Sequence, residues 1–315
     1  VADKLGLLLV LLAVASLAGY LGRLHFFFEL ASHFRAFYLF AALLLTLALL
    51  PLRSWKRAAA GALLVLLNAA PILPYYWHSE PPAGIANLRV LESNVLTSNR
   101  QCDLLLSRVR TYRPDVIFLI EVDKPWLSGI ADLKKDYPYT ASKPRRDNFG
   151  IALLSRYPFR DLDVFALADT EATAIKATLV LGEREVTCFA VHAFPPGTPK
   201  MTQTRDVQLL GAATLAKSLS TPIVVCGDFN ATPWSPVFGD VLSRSGLKDA
   251  RRGFGVIPTW PTQYWPLMIP IDHCLVSPSI CVKSFQVLSA IGSDHLPILV
   301  DLSVPAPRHN VEGNF

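Results

Sequence analysis

The sequence predicts an α/β (α+β) four-layer sandwich, two mixed β-sheets flanked by helices, preceded by three transmembrane α-helices. Three observations carry this expectation. Apolar runs at residues 5–22, 36–52 and 58–76 each approach the roughly 20 residues that cross a bilayer. Beyond residue 86 the pattern changes to short apolar runs of strand length. Some alternate with helical segments and others pair as hairpins, which favours two mixed sheets over one parallel sheet. Acids stand at or just beyond three of these runs, in Gly227-Asp228-Phe229-Asn230, Ile271-Asp272-His273 and Ser293-Asp294-His295.

The mean hydropathy of +0.35 is high for a water-soluble enzyme, and the excess lies in the first eighty residues. A cleaved signal peptide is the alternative for the first run; the two runs that follow and the lack of an Ala-x-Ala-like site at its end weigh against it. Gly6, Gly19, Gly22 and Gly61 would permit close helix packing in lipid. Lys4 precedes the first run, and Arg53, Lys56 and Arg57 fill the second link, whereas the first link holds only Arg23 and Arg35. Positive residues favour the cytoplasmic side, so three crossings deliver the rest of the chain to the opposite side. Trp55, Tyr75, Tyr76 and Trp77 suit the membrane interface. The predicted organisation is a membrane anchor at 1–78, a proline-bearing linker at 79–85, a globular domain at 86–304 and a disordered tail at 305–315.

Six of the 30 Lys/Arg and three of the 25 Asp/Glu fall within residues 1–80, leaving only +2 on the remainder. The sequence pI of 9.0 therefore does not announce a nucleic-acid surface, which calls for a clustered basic face. Lys143-Pro144-Arg145-Arg146 and Arg251-Arg252 are the local candidates, and solvated loop charge explains both equally well. Of five cysteines, Cys188, Cys226 and Cys274 sit in strand-like runs and read as buried thiols. A disulfide involving Cys102 or Cys281 stays open on an oxidising side of a membrane.

The elements follow in order. Strands are expected at 87–95, 116–120, 149–154, 175–181, 186–191, 223–226, 272–276, 282–288 and 298–302, with Gly182-Glu183 as a hairpin turn. Helices are expected at 98–112, 126–135, 202–219 and 236–243. Acids at strand ends would gather at one sheet edge. Carboxylates, an amide and histidines together there suit a hard divalent cation and a phosphoryl group.

Asn94, Glu121, His192, Gly227-Asp228-Phe229-Asn230, Ile271-Asp272-His273 and Ser293-Asp294-His295 occur in an order and spacing that resembles the endonuclease/exonuclease/phosphatase (DNase I-like) superfamily. The resemblance covers about residues 85–303. It implies that Glu121, Asn94 and Asp294 hold Mg²⁺, with Mn²⁺ able to replace it. It implies that Asp228 activates the attacking water, that Asn230 donates to the phosphoryl oxygens, and that His295, oriented by Asp272, contacts the scissile phosphate. His192 matches a second histidine of some branches, a general acid for the leaving oxygen. His273 should face away from this cluster. His25, His33, His78 and His309 carry no pattern, and Arg205 reads better as a solvated helix residue than as a phosphate contact.

The apolar loop Trp260 to Pro270 admits two readings, insertion into a membrane surface or a packed lid. The expected activity is a membrane-anchored, Mg²⁺-dependent phosphodiester hydrolase, nuclease-like, with a lipid-headgroup phosphodiesterase as the alternative substrate class. A catalytically silent binding domain is the third reading. The three-helix anchor plus this domain resembles a bacterial inner-membrane subgroup, multi-pass, with the catalytic domain on the periplasmic side.

Overall fold

A computed structural model describes residues 1–77 and 85–306. The expected linker, apart from residue 85, and the tail beyond residue 306 lie outside the described residues, as do His78 and His309.

The chain begins with four helices, α1 (Ala2–Tyr20), α2 (Phe26–Ser32), α3 (Arg35–Leu49) and α4 (Trp55–Ala69). Three membrane spans were expected, and this is corrected. Among the described residues only α1, with 19 residues, is long and apolar enough to cross; α3 passes only when joined to α2, across a 64° bend. α3 and α4 end just before Pro51 and Pro71, inside their apolar runs, because proline has no N–H to continue the helical ladder and its ring crowds the preceding turn. Each is 15 residues long, about 22 Å at helical rise, against a hydrocarbon core of about 30 Å.

The packing of these helices is inverted relative to a water-soluble bundle. Leu7, Leu11, Val14, Leu17, Phe40, Leu44, Leu47, Leu63 and Leu66 face outward. Ser16 and Asn68 are buried, with Asn68 Nδ2 donating to Ser16 Oγ at 3.0 Å. A Cβ at Gly61 would collide with Thr46 Oγ1, and one at Gly19 would press on the backbone of Ser32. Small residues thus set the closest approaches.

The second unit contains β1 (Leu88–Asn94), α5 (Cys102–Tyr112), β2 (Val116–Ile120), α6 (Lys124–Gly129), β3 (Tyr139–Lys143), β4 (Ile151–Ser155), β5 (Phe159–Ala166), β6 (Thr173–Leu181), β7 (Arg184–His192), α7 (Pro199–Ser218), β8 (Ile223–Asp228), α8 (Pro236–Ser245), β9 (Lys248–Asp249), β10 (Asp272–Val276), β11 (Cys281–Val287) and β12 (Ile298–Ser303). Two six-stranded sheets form, ordered β11-β12-β1-β2-β4-β3 and β5-β6-β7-β8-β10-β9. Both are mixed: β1 runs parallel to β2 and β7 to β8, and the other neighbours are antiparallel. The expected sandwich is present. Val90, Phe118, Ile120, Leu153, Ile175, Cys188, Val224, Cys226, Cys274 and Val300 fill the space between the sheets. Leu105, Val109 and Trp126 cover the outer face of the first sheet. Leu209, Ala213 and Phe238 cover that of the second. Strands buried on both faces read as unbroken apolar runs, and β2 and β8 do so.

Strands β3, β5 and β9 were not expected. The first two are edges with mostly exposed side chains, and β9 is two residues long, so none carries a buried-strand pattern. Helix α7 starts at Pro199, capped by Thr198 Oγ1, which accepts from Met201 N at 3.2 Å. Gly182, at φ +64°, makes the expected turn between β6 and β7. All five cysteines are free thiols, so the disulfide left open at Cys102 or Cys281 is not formed.

Candidate active site

Strand alternation decides what points into the mouth of the sandwich. On β8, Val224 and Cys226 face the inter-sheet core, so Asp228 does too. The same period carries Asn94 inward behind Leu88 and Val90, His192 behind Cys188 and Ala190, and Asp272 ahead of Cys274 and Val276. Register then brings them level. His192 pairs with Asp228 in the parallel β7–β8 ladder, and Asp272 pairs with Asp228 in the antiparallel β10–β8 ladder. Gly227 permits this close approach, since a Cβ there would overlap the Val191 carbonyl oxygen. His273 faces the other way, as expected. It packs on Phe229 and Phe238 and lies 2.8 Å from the Ala231 carbonyl oxygen.

Around Asp228 the contacts are close. Its Oδ1 accepts from Asn230 N at 2.8 Å. Its Oδ2 accepts from Asn94 Nδ2 at 3.3 Å, and lies 3.7 Å from His295 Nε2 and 3.8 Å from His192 Nε2. Asn94 Nδ2 also donates to Glu121 Oε1 at 2.9 Å. Glu121 stands just past β2 at φ +64°, a left-handed turn that aims its carboxylate at the cluster, and Thr97 N reaches its Oε2 at 3.4 Å. Asp294 is held through Oδ2 by the Trp260 indole at 3.0 Å. Asn230, at φ +49°, donates from Nδ2 to the Ala193 carbonyl at 3.0 Å, leaving its second amide hydrogen free for a further acceptor.

Burial sets the charge states. It pushes the Asp228 carboxyl up to about 8, opposed by His295 and reinforced by Asp272. Burial also raises Glu121, against the Asn94 hydrogen bond. For His295 burial acts downward, but Asp272 and Asp228 outweigh it and push the imidazole up to about 10. Burial and the neighbouring His295 hold His192 down to about 3, so it is neutral near pH 7. Phe149 stacks on that ring at 5.1 Å between centroids.

All eight expected site residues thus lie at one edge of the sandwich. Asp228, Asp272 and His295 bring ligand atoms within 4.8 Å of one another. The wider donor set, with Glu121, Asn94 and Asp294, is rich in hard oxygen, which fits Mg²⁺ in its few-ligand, water-retaining mode. Neighbouring residues support these side chains. Thr259 Oγ1 accepts from Asp272 N at 3.4 Å, and Ser293 Oγ donates to the Asn94 carbonyl at 2.8 Å. Arg205 is fully buried, not a solvated helix residue, and donates from Nη1 to the Asn230 carbonyl at 3.2 Å. His33, expected to carry no pattern, is buried against Thr232, with Nδ1 3.0 Å from Oγ1. Arg205 falls in phase with the buried Thr202, Leu209, Ala212 and Ala216 of α7, the one signal that could have found it, while its partners come from remote segments.

Solved structures share this fold. D. rerio TDP2 humanized by 14 mutations is 17% identical, covering 69% of this chain and 99% of its own at a TM-score of 0.58. An endonuclease/exonuclease/phosphatase from Beutenbergia cavernae is 22% identical, covering 70% of this chain and 73% of its own at 0.57. One from Bacteroides vulgatus is 19% identical, covering 69% and 99% at 0.58. No curated protein matches the sequence. The model of the Endonuclease/Exonuclease/phosphatase family matches residues 85–295, two thirds of the chain and the whole of the site just described, and the chain belongs to that family.

Proposed function

We propose that this protein is a Mg²⁺-dependent phosphodiester hydrolase that works by in-line attack of water, held at a membrane by its N-terminal helices. The observation that carries the reading is the convergence of Asp228, Asn230, Asp272 and His295 with Glu121 and Asn94 at one sheet edge. A bound Mg²⁺ would be held by Glu121, Asn94 and Asp294, and it supplies positive charge to a phosphoryl oxygen.

The chain's own residues do the rest. Asp228 takes the proton of the attacking water in its ionised form, which the adjacent His295 charge favours against the effect of burial. The His295 imidazolium, kept charged by Asp272, donates to a phosphoryl oxygen as negative charge gathers there. Asn230 donates its free amide hydrogen to the same group. His192, neutral, hydrogen-bonds the leaving oxygen without delivering full charge. No covalent intermediate with the enzyme is needed.

Nucleic acid is the first substrate class. D. rerio TDP2, which shares the fold at 16% identity, has been solved with a single strand DNA product. A phosphorylated lipid headgroup is the second, favoured by one feature. Tyr264, Trp265 and Leu267 are exposed on the loop that starts at Trp260, whose indole holds Asp294. Exposed aromatic and aliphatic side chains beside a site, on a protein with an outward-facing leucine surface, suit the bilayer interface. The expected placement outside the cytoplasm rested on three crossings; with α1 as the span, Lys4 stands on one side and Arg23, Arg35, Arg53, Lys56 and Arg57 on the other, so lysine and arginine placement no longer supports it, and a reporter fused after residue 315 decides the side. Purified full-length protein with Mg²⁺ is expected to hydrolyse bis(p-nitrophenyl) phosphate, and Asp228→Ala to abolish turnover. A wild-type protein inert toward that reporter, plasmid DNA and mixed liposomes would leave the silent binding domain as the reading.

A further inference from the structure

Helix α2 does more than link α1 to α3. Its Glu29 is buried, with Oε1 3.1 Å from His33 Nε2 and 3.2 Å from Arg205 Nη1. That same Arg205 nitrogen donates to the carbonyl oxygen of Asn230 at 3.2 Å. One guanidinium nitrogen therefore bridges a carboxylate of the N-terminal unit and the backbone of an active-site residue. Asp206 Oδ1 accepts from Arg205 Nη2 at 2.7 Å and completes the pairing. The second arm is His33. Its ring meets Thr232 Oγ1 at 3.0 Å and Thr232 N at 3.4 Å, and its carbonyl accepts from Trp234 Nε1 at 3.2 Å. The stretch from Asn230 to Trp234 is thus gripped at three alternate residues.

The grip matters because Asn230 sits at φ +49°, a left-handed turn that asparagine accepts more readily than other side chains, and the direction of its amide depends on how that turn is held. Arg205 fixes its carbonyl, and the Ala193 carbonyl accepts from its side-chain amide. A link between two apolar helices needs only a few polar residues, yet this one places a carboxylate in the interior against a fully buried arginine. Burial of charge is costly unless each group is paired, so the geometry of the pair is tightly specified. A second contact between the two units makes no hydrogen bond to the 230–234 stretch: Arg23 forms an exposed bidentate pair with Asp240 on α8.

We infer that Glu29 and His33 of α2 are positioning residues for the phosphoester reaction, acting through Arg205 and Thr232 to hold the Asn230 turn. The inference rests on the proposed phosphodiesterase reading. The test uses full-length protein in lipid nanodiscs with Mg²⁺ and bis(p-nitrophenyl) phosphate, and hydrogen exchange across residues 227–234. Glu29→Ala is expected to lower kcat about tenfold with KM unchanged, as a small misplacement of a transition-state donor does. Glu29→Gln, which keeps the side chain's shape and an oxygen facing Arg205, is expected to restore most of it. Arg23→Ala, which cuts only the docking pair, is expected to leave kcat alone. In an Asn230→Ala background, Glu29→Ala is expected to add less than about twofold, since its effect runs through Asn230.

Exchange at 227–234 is expected to rise in Glu29→Ala and not in Arg23→Ala, whatever the activity. Unchanged exchange, or an equal kcat loss with and without Asn230, overturns the inference. So does faster exchange with unchanged kcat. Wild-type protein silent on the reporter removes the phosphodiesterase reading and the positioning role with it, while the exchange result still decides whether α2 braces the turn.

Discussion

His295 Nδ1 lies 3.0 Å and 2.9 Å from the two oxygens of Asp272, while its Nε2 lies 3.7 Å from Asp228 Oδ2. The ring spans two carboxylates, one fixing its orientation and the other on the reactive side. Asp272→Asn removes the charge that favours the imidazolium and keeps the shape. Turnover is expected to fall about 100-fold, the scale of a lost proton-transfer partner. The activity that remains should decline at lower pH than in the wild type. A kcat–pH profile on the phosphodiester reporter measures both.

The same pair sets an alkaline limit to stability. The imidazole value is raised from 6.5 to about 10 in the folded protein. Folded protein therefore binds a proton that the unfolded chain has lost. The stabilisation is fully present below about pH 6.5 and is lost as pH rises through about 10. Melting temperature measured in chelator is expected to fall across that window, and the fall should be shallower in His295→Asn.

Neutral His192 leads to a different expectation. With its value held down to about 3, the ring carries no charge at neutral pH. His192→Gln keeps a neutral hydrogen-bond donor and is expected to cost less than about tenfold in kcat, whereas His192→Ala should cost more. A loss above about 100-fold for the glutamine variant would instead require a charged general acid.

Glu121→Gln tests the metal role. The carboxylate is expected to dominate cation affinity, so the Mg²⁺ concentration for half-maximal activity should rise at least about tenfold. Isothermal titration with Mg²⁺ alone should show the same shift. Chelation should abolish turnover of the wild type, and Mn²⁺ should restore it.

Trp265 separates the two substrate classes. Its side chain is 77% exposed, and Trp265→Ser should therefore change stability little. Release of headgroups from mixed liposomes is expected to fall several-fold if lipid is the substrate, with turnover of the soluble reporter unchanged. Equal activity of both proteins on liposomes would favour the nucleic-acid reading, checked by plasmid nicking.

The site was legible in the sequence because its residues terminate buried strands. Apolar runs such as 223–226 mark the strands, and a polar residue in phase with the inward face must emerge at the mouth of the sandwich. The edge strands β3 and β5 were not legible, since exposed side chains give them no apolar rhythm. Neither were the ends of α3 and α4, where prolines interrupt runs whose composition alone suggested full spans. Arg205 looked like a solvent-facing helix residue because its partners, Glu29 and Asn230, come from segments far away in the chain. Its burial did leave a local trace, the helical spacing with Thr202, Leu209, Ala212 and Ala216, but its partners did not.

The Glu29–Arg205 contact also bears on how the enzyme can be handled. Cutting the chain at residue 85 is the obvious way to obtain a detergent-free fragment, because it discards the leucine-clad helices. The same cut discards Glu29 and His33, strips an interior cation of one of its two counter-charges, and opens the Trp234 surface to water. Such a fragment is a different enzyme from the intact one, and its sluggishness would say nothing about the parent.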